Sequence, residues 1–431
     1  MNQTISTDAP PQGLFFGWRI VAASFLVTFT IYGVSIFAFI VLIQALAAQR
    51  GWTPADTGGL VSAMWLAAPL ALVAGPLAQR VSPWRLITLG ILLQAAVVVA
   101  MLAANELWQI YLLRFAMGVG KVLAIVGLPM LVSRWFSMRF ATAMAIVWAG
   151  GSAGGLVLSP VMDWLIVSFG WQKGALIIAA GVLASLVVIQ LIARGPGSPE
   201  EIGLGRDGIT RNAPDGAAVV SNAATGGPSA RQVLGTISLP TAAIMFIAIA
   251  GAGVASIAIF SMEPALLEKA GFSSGQAATL LGLTAAGSFV GSVSIGWLLD
   301  RFNTLVSDLI AALAIGLGLL VFVFLFQGPN FPLALFGALA CGFGAGSGEV
   351  LWINLTKRQF GEGAFSITYG GWFIALQLGY AIGGSVAGWS FSQFGAMGFL
   401  GFVAIIYLLP AFCSVAIRAG RLPPISQVGQ I

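Results

Sequence analysis

Apolar runs of about 20 residues recur from one end of this chain to the other and constrain its fold more than any other feature. A helix of that length crosses the hydrocarbon core of a bilayer because its backbone hydrogen bonds are satisfied within the segment. Hydrophobic residues make up 58% of the 431 residues and charged residues only 8%, too apolar a balance for a soluble domain. A closed barrel, the other spanning architecture, needs segments of about 10 residues that alternate in polarity. These runs do not alternate, so the chain is expected to be an all-α polytopic membrane protein.

The expected spans are Trp18 to Leu46, Ala55 to Leu77, Trp84 to Ala104, Trp108 to Trp135, Phe140 to Val167 and Trp171 to Ile192. A second set covers Pro240 to Leu266, Gln276 to Leu299, Leu305 to Phe326, Phe331 to Leu355, Phe365 to Phe391 and Gly398 to Ile417. The total is about twelve helices in two six-helix bundles. Residues 1–17 form an N-terminal tail, 18–193 the first bundle, 237–418 the second and 419–431 a C-terminal tail. The interval 194–236 is rich in Gly, Ser, Pro and Ala and reads as a flexible linker. The first dozen residues lack the basic and apolar regions of a cleavable signal, so the first helix is expected to act as the insertion signal.

Basic residues sort these spans across the membrane. With the N-terminus inside, Arg80, Arg85, Arg134, Arg139, Arg194, Arg206, Arg211, Arg231, Arg301, Lys357, Arg358, Arg418 and Arg421 share one side. Arg50, Lys173 and Lys269 fall on the other. Both termini are expected in the cytoplasm, in a cell membrane of the bacterial inner-membrane type. The net charge of +5 is small and scattered, which suits topology rather than nucleic-acid binding. Histidine is absent and only Cys341 and Cys413 are present, so neither a disulfide framework nor a metal or other cofactor is expected.

The halves repeat. Gly51, Trp52, Thr53 and Pro54, then Leu60, Gly75 and Arg80, return as Gly271, Phe272, Ser273 and Ser274, then Leu280, Gly296 and Arg301. Two parallel, pseudo-symmetric six-helix repeats are a transporter architecture, with a substrate site at mid-membrane between them.

At these residues the chain resembles the major facilitator superfamily. Gly296 through Asp300 and Arg301 is similar to that superfamily's basic turn, whereas the first-half copy has Gln79 in place of the usual Asp. The resemblance implies gating roles for Asp300, Arg301, Arg80, Arg134 and Arg139. Arg114, Gly118 and Gly120 resemble the fourth-helix motif. Within the superfamily the chain resembles the monocarboxylate transporter and oxalate/formate antiporter group. Three stretches carry that likeness: Gly17-Trp18-Arg19; Arg134-Trp135-Phe136 with Arg139, Gly150 to Gly155 and Pro160; and Ser198 to Leu204. Two departures stand out. The eighth helix lacks the arginine usual in carboxylate carriers, and Leu376-Gln377 stands near the place of the antiporter's eleventh-helix lysine.

The resemblance places the first, fourth, seventh and tenth helices around a central cavity. Lys121 lies in the middle of the fourth span, too deep to snorkel to either surface. Arg114, two turns earlier, points the same way. Charge at that depth is expensive and usually functional; a cationic face there attracts a carboxylate, although a buried ion pair that only fixes packing is the plainer alternative. Glu349 in the tenth span is expected to face Lys121, as substrate contact and proton-coupling group or as a fixed salt bridge. Tyr32, Trp148, Asn354, Tyr369, Trp372 and Gln377 are further substrate-binding candidates, or ordinary packing residues. Glu263, just before Pro264, and Asp163 lie toward span ends and read as solvated rim charges.

These features point to a secondary active transporter, acting as a monomer in the lipid bilayer by alternating access. Its expected cargo is a small organic anion, a carboxylate, moved with protons or by exchange. A larger aromatic or heterocyclic solute is the alternative. An intramembrane enzyme lacks its residues here, because histidine is missing and the deep acids are isolated. A non-transporting receptor on the same fold is a further rival.

Overall fold

Within the described residues the expected spans are helical. The computed structural model describes residues 15–71, 81–137, 139–208, 239–301 and 304–418, with side chains placed except at 141, 239–242, 300, 304, 305, 308, 349, 352–373 and 409–418. Ten stretches of the described residues are long and apolar enough to cross a membrane. In the first half, α1 (Gly17–Tyr32) passes through a π-helical turn (Gly33–Ala38) into α2 (Phe39–Arg50). Then come α3 (Pro54–Trp65), α4 (Pro83–Ala100), α5 (Leu107–Val126), α6 (Leu128–Trp135), α7 (Phe140–Phe169) and α8 (Trp171–Ala193). The second half has α9 (Leu239–Lys269), α10 (Ser274–Arg301), α11 (Thr304–Phe324) and α12 (Phe331–Arg418).

Two of the expected twelve spans do not stand separately among these ten. α3 continues as a 3-10 turn at Ala68–Leu70 and then leaves the described residues. The last two expected spans fall in one stretch, Ile374–Leu408, yet Gly395 within it has a φ of +66°, a left-handed conformation that no α-helix contains. α12 cannot be one rod. Cys341 and Ala387 share one hydrophobic core, although a straight helix would separate them by about 70 Å. The chain therefore turns back between them, and α12 supplies several spans.

The internal repeat is a matched pair of helix ends. Gly51 (φ +68°) ends α2 and Gly271 (φ +96°) ends α9, each a left-handed residue where only glycine is unstrained. Trp52 N then donates to Ala47 O, and Phe272 N to Leu267 O, both at 3.1 Å. The next helix opens with a capping box in both copies. Thr53 Oγ1 accepts from Asp56 N (3.3 Å) while Asp56 Oδ2 accepts from Thr53 N (2.8 Å). In the second copy Ser273 Oγ accepts from Gln276 N (3.3 Å), and Gln276 Oε1 accepts from Ser273 N (3.1 Å).

The two halves meet where α3 packs on α12 and α7 on α10. Both crossings run toward the end of the molecule that carries the turns at Gly51 and Gly271, and both depend on glycine. A Cβ at Gly58 would strike Gly384 O, and one at Gly388 would strike Pro54 O. Ser385 N donates to Ser62 Oγ at 2.8 Å across the same crossing. On the other crossing, Ala285 of α10 lies against Gly155, and Gly282 against Leu156 O. At the opposite end, Phe15 and Phe16 pack on Trp135 and Phe136. There Asp207 accepts from Ser137 N (2.9 Å) and Arg139 N (3.1 Å), so the opening residues of the expected linker dock onto the turn before α7.

Candidate functional site

Three first-half elements bring the site together. The π-helical turn follows Tyr32 directly; such turns widen the helix and recur at functional sites. It fits here because Gly33 lies backbone to backbone with Gly154 of α7. α5 supplies Lys121, about 21 Å of helix rise from its start at Leu107, and α3 supplies Trp65, about 16 Å from Pro54. All three therefore sit near mid-depth.

Lys121 is 4% exposed. Its Nζ lies 3.1 Å from the centroid of the Trp65 ring and 5.7 Å from that of Tyr32. The faces of these rings carry negative potential, so they hold an ammonium group in a medium that water does not reach. Trp65 in turn stacks on Tyr380 of α12 at 4.6 Å, across the junction of the halves. Tyr32 meets Trp148 of α7 edge to face at 6.1 Å. The cation thus lies in a ring cluster that reaches the second half through Trp65 and Tyr380.

Arg114 has a different environment. It is 1% exposed. Nε donates to Leu60 O at 3.1 Å, Nη1 donates to Ser35 O at 2.8 Å and to Met117 Sδ at 2.9 Å, and the guanidinium lies 3.6 Å over the Phe39 ring. Ser35 belongs to the π-helical turn, where the altered hydrogen-bond pattern leaves carbonyls to be satisfied from outside. The guanidinium ties α3 and α5 to that turn.

Of the other expected contacts, Trp148 is exposed and Gln377 half-buried, one turn before Tyr380. The side chains of Glu349, Asn354, Tyr369 and Trp372 lie outside the described residues, as do Arg80 and the side chain of Asp300. Arg134, Arg139 and Arg301 are exposed, the last 5.6 Å from the Trp297 ring. Cys341 is buried and free. Glu263 and Asp163 correct the expectation of solvated rim charges: they are 1% and 8% exposed, enclosed by the packing of α9 and α7 against α10. α9 also continues through Pro264 without a break. The sequence reading missed Trp65 and Tyr380. Trp65 carried a signal, since tryptophan normally marks membrane interfaces and this one lies at mid-span, unlike Trp52 and Trp84.

The family model of the Major Facilitator Superfamily matches residues 23–384. The chain belongs to that superfamily. Among relatives of this superfamily member, monocarboxylate transporter 12 of Rattus norvegicus is 27% identical, over 89% of this chain and 81% of its own. The 4-hydroxybenzoate transporter PcaK of Pseudomonas putida is also 27% identical, over 67% of each chain. A bacterial homologue of the human lysosomal transporter Spinster, solved in an inward-facing and occupied conformation, has the same fold. It aligns with a TM-score of 0.70 at 15% identity, covering 95% of this chain and 98% of that one. The chain is therefore a multi-pass membrane transporter and not an enzyme.

Proposed function

We propose that this transporter carries a small organic carboxylate by alternating access, driven by a proton gradient or by exchange. One observation carries the reading: the Lys121 ammonium sits at mid-depth on Trp65, which stacks on Tyr380 of the other half. Carboxylate binding beside Lys121 would engage a ring pair that bridges both halves, so occupancy and rocking would be linked. The relatives named for monocarboxylates and for 4-hydroxybenzoate support an anionic cargo. The ring cluster favours a second reading within this one, an aromatic acid whose ring stacks among Tyr32, Trp65, Trp148 and Tyr380. Glu349, Asn354, Tyr369, Trp372 and Gln377 complete the proposed site from α12, and Glu349 serves as proton-coupling partner of Lys121. Arg80, Arg134, Arg139, Asp300 and Arg301 act in gating at the basic end, which faces the cytoplasm of a bacterial inner membrane. The transporter works as a monomer.

Counterflow in proteoliposomes tests the reading. Vesicles preloaded with unlabelled benzoate or lactate are expected to accumulate the labelled acid, benzoate more strongly. Absence of counterflow with either acid would count against carboxylate transport.

A further inference from the structure

Glu263 lies outside the ring cluster and takes no part in the chemistry proposed for Lys121. It is 1% exposed at the interface of α9 with α10 and α12. Oε1 lies 2.6 Å from Thr284 Oγ1, while Oε2 has no hydrogen-bond partner among the described residues. The Thr284 hydroxyl is also 3.2 Å from Leu280 O, yet it has a single hydrogen to offer. If that hydrogen goes to Leu280 O, the contact with Glu263 requires the carboxyl group to be the donor. A protonated Glu263 satisfies both contacts at once. An ionised one takes the hydrogen away from Leu280 O and leaves a charge without a cation among the described residues.

No described group supplies that cation. Cys341 of α12 is the other titratable neighbour of Glu263, and Tyr407 beyond it is hydrogen-bonded to Ser256. On α9 itself, Lys269 lies over the Phe391 ring at 4.6 Å, and Glu268 is next to Asp163 of α7. Arg50 of α2 is turned to the carbonyls of Ala104 and Asn105, and Asp56 of α3 caps its own helix. On α10, Asp300 and Arg301 are at the far end of the helix, and Glu349, Lys357, Arg358 and Glu362 come later along α12.

The pair lies just behind the junction of the halves. Ala285, next to Thr284, touches Gly155 of α7. Phe260, one turn before Glu263, meets Phe37 of the π-helical turn edge to face at 5.5 Å. Pro264 offers no N–H to Phe260 O, so α9 is weakest at this point. Separation of α7 from α10 would bring water to Glu263; closure, as seen here, seals it.

From this geometry we infer that Glu263, with Thr284, is a proton-binding site of the second half, loaded when the α7–α10 crossing opens and carried closed. The inference rests on the alternating-access reading and deepens it, placing a proton on a residue separate from the Lys121 site. Infrared difference spectroscopy of the full chain in lipid tests the proton without any substrate. A protonated carboxyl C=O band is expected at neutral pH, absent in Glu263→Gln, kept in Glu349→Gln and shifted in Thr284→Val, which retains the carboxyl group. A wild-type spectrum without the band, or a band that persists in Glu263→Gln, overturns the site. In proteoliposomes Glu263→Gln is expected to keep benzoate counterflow but lose accumulation driven by a pH gradient. Retained pH-driven accumulation overturns the coupling role. If wild-type protein shows counterflow with neither benzoate nor lactate, the carboxylate reading fails, and the infrared result still decides whether Glu263 holds a proton.

Discussion

Two cations seven residues apart on α5 have different partners, and those partners separate the roles proposed for them. Arg114 serves backbone carbonyls of two other segments. Arg114→Ala would strand Ser35 O and Leu60 O in a dry interior, at roughly 1–3 kcal/mol each. The expected outcome is a lowered denaturation midpoint in detergent, whether or not a carboxylate is present. For Lys121→Gln the terms oppose. The lost cation–π attraction, about 2 kcal/mol when desolvated, is offset by removal of a charge from the membrane interior. That variant is expected to melt near the wild-type temperature yet fail in benzoate counterflow. The sequence placed both residues on one helix face, and periodicity sufficed for that. Their neighbours come from α1, the π-helical turn, α2 and α3, distant in the chain, so the difference between the two environments was not legible.

Among the elements, helix ends were the most readable parts of the chain. Gly51 and Gly271, with their capping boxes, act through bonds between near neighbours in sequence, which is why the repeat stood out. The π-helical turn at Gly33–Ala38 left no such trace, because it depends on the approach of Gly154 from α7 and on the donor supplied by Arg114. The burial of Glu263 was hidden for a similar reason: its surroundings are built by α10 and α12. The α3–α12 crossing carries a prediction of its own. Gly388→Val would place a side chain against Pro54 O and hold this crossing apart. A cysteine introduced at Ser62 is then expected to react with a membrane-impermeant maleimide faster than in the otherwise unmodified protein.

At the scale of the molecule, the halves touch at the end bearing the Gly51 and Gly271 turns, and the proposed alternating access requires that contact to break in each cycle. Ser62 and Ser385 are joined across it by a 2.8 Å hydrogen bond. Cysteines at both positions are expected to form a disulfide under oxidation, to stop counterflow and to release it on reduction. Continued counterflow with the bond formed would show that this crossing stays closed throughout transport.

The sequence by itself determined that the chain crosses a membrane many times as helices, that its two halves are copies, and that a lysine lies at mid-depth. Those properties follow from segment length, hydropathy and local capping, which act between residues close in the chain. Only the tertiary structure decided that Trp65 and Tyr32 hold that lysine, that Trp65 reaches Tyr380 of the other half, that Arg114 is tied to carbonyls, and that Glu263 is sealed away from water. Each depends on which distant helices come to share an interface. That choice rests on glycine-lined backbone contacts whose partners are named nowhere in the local sequence.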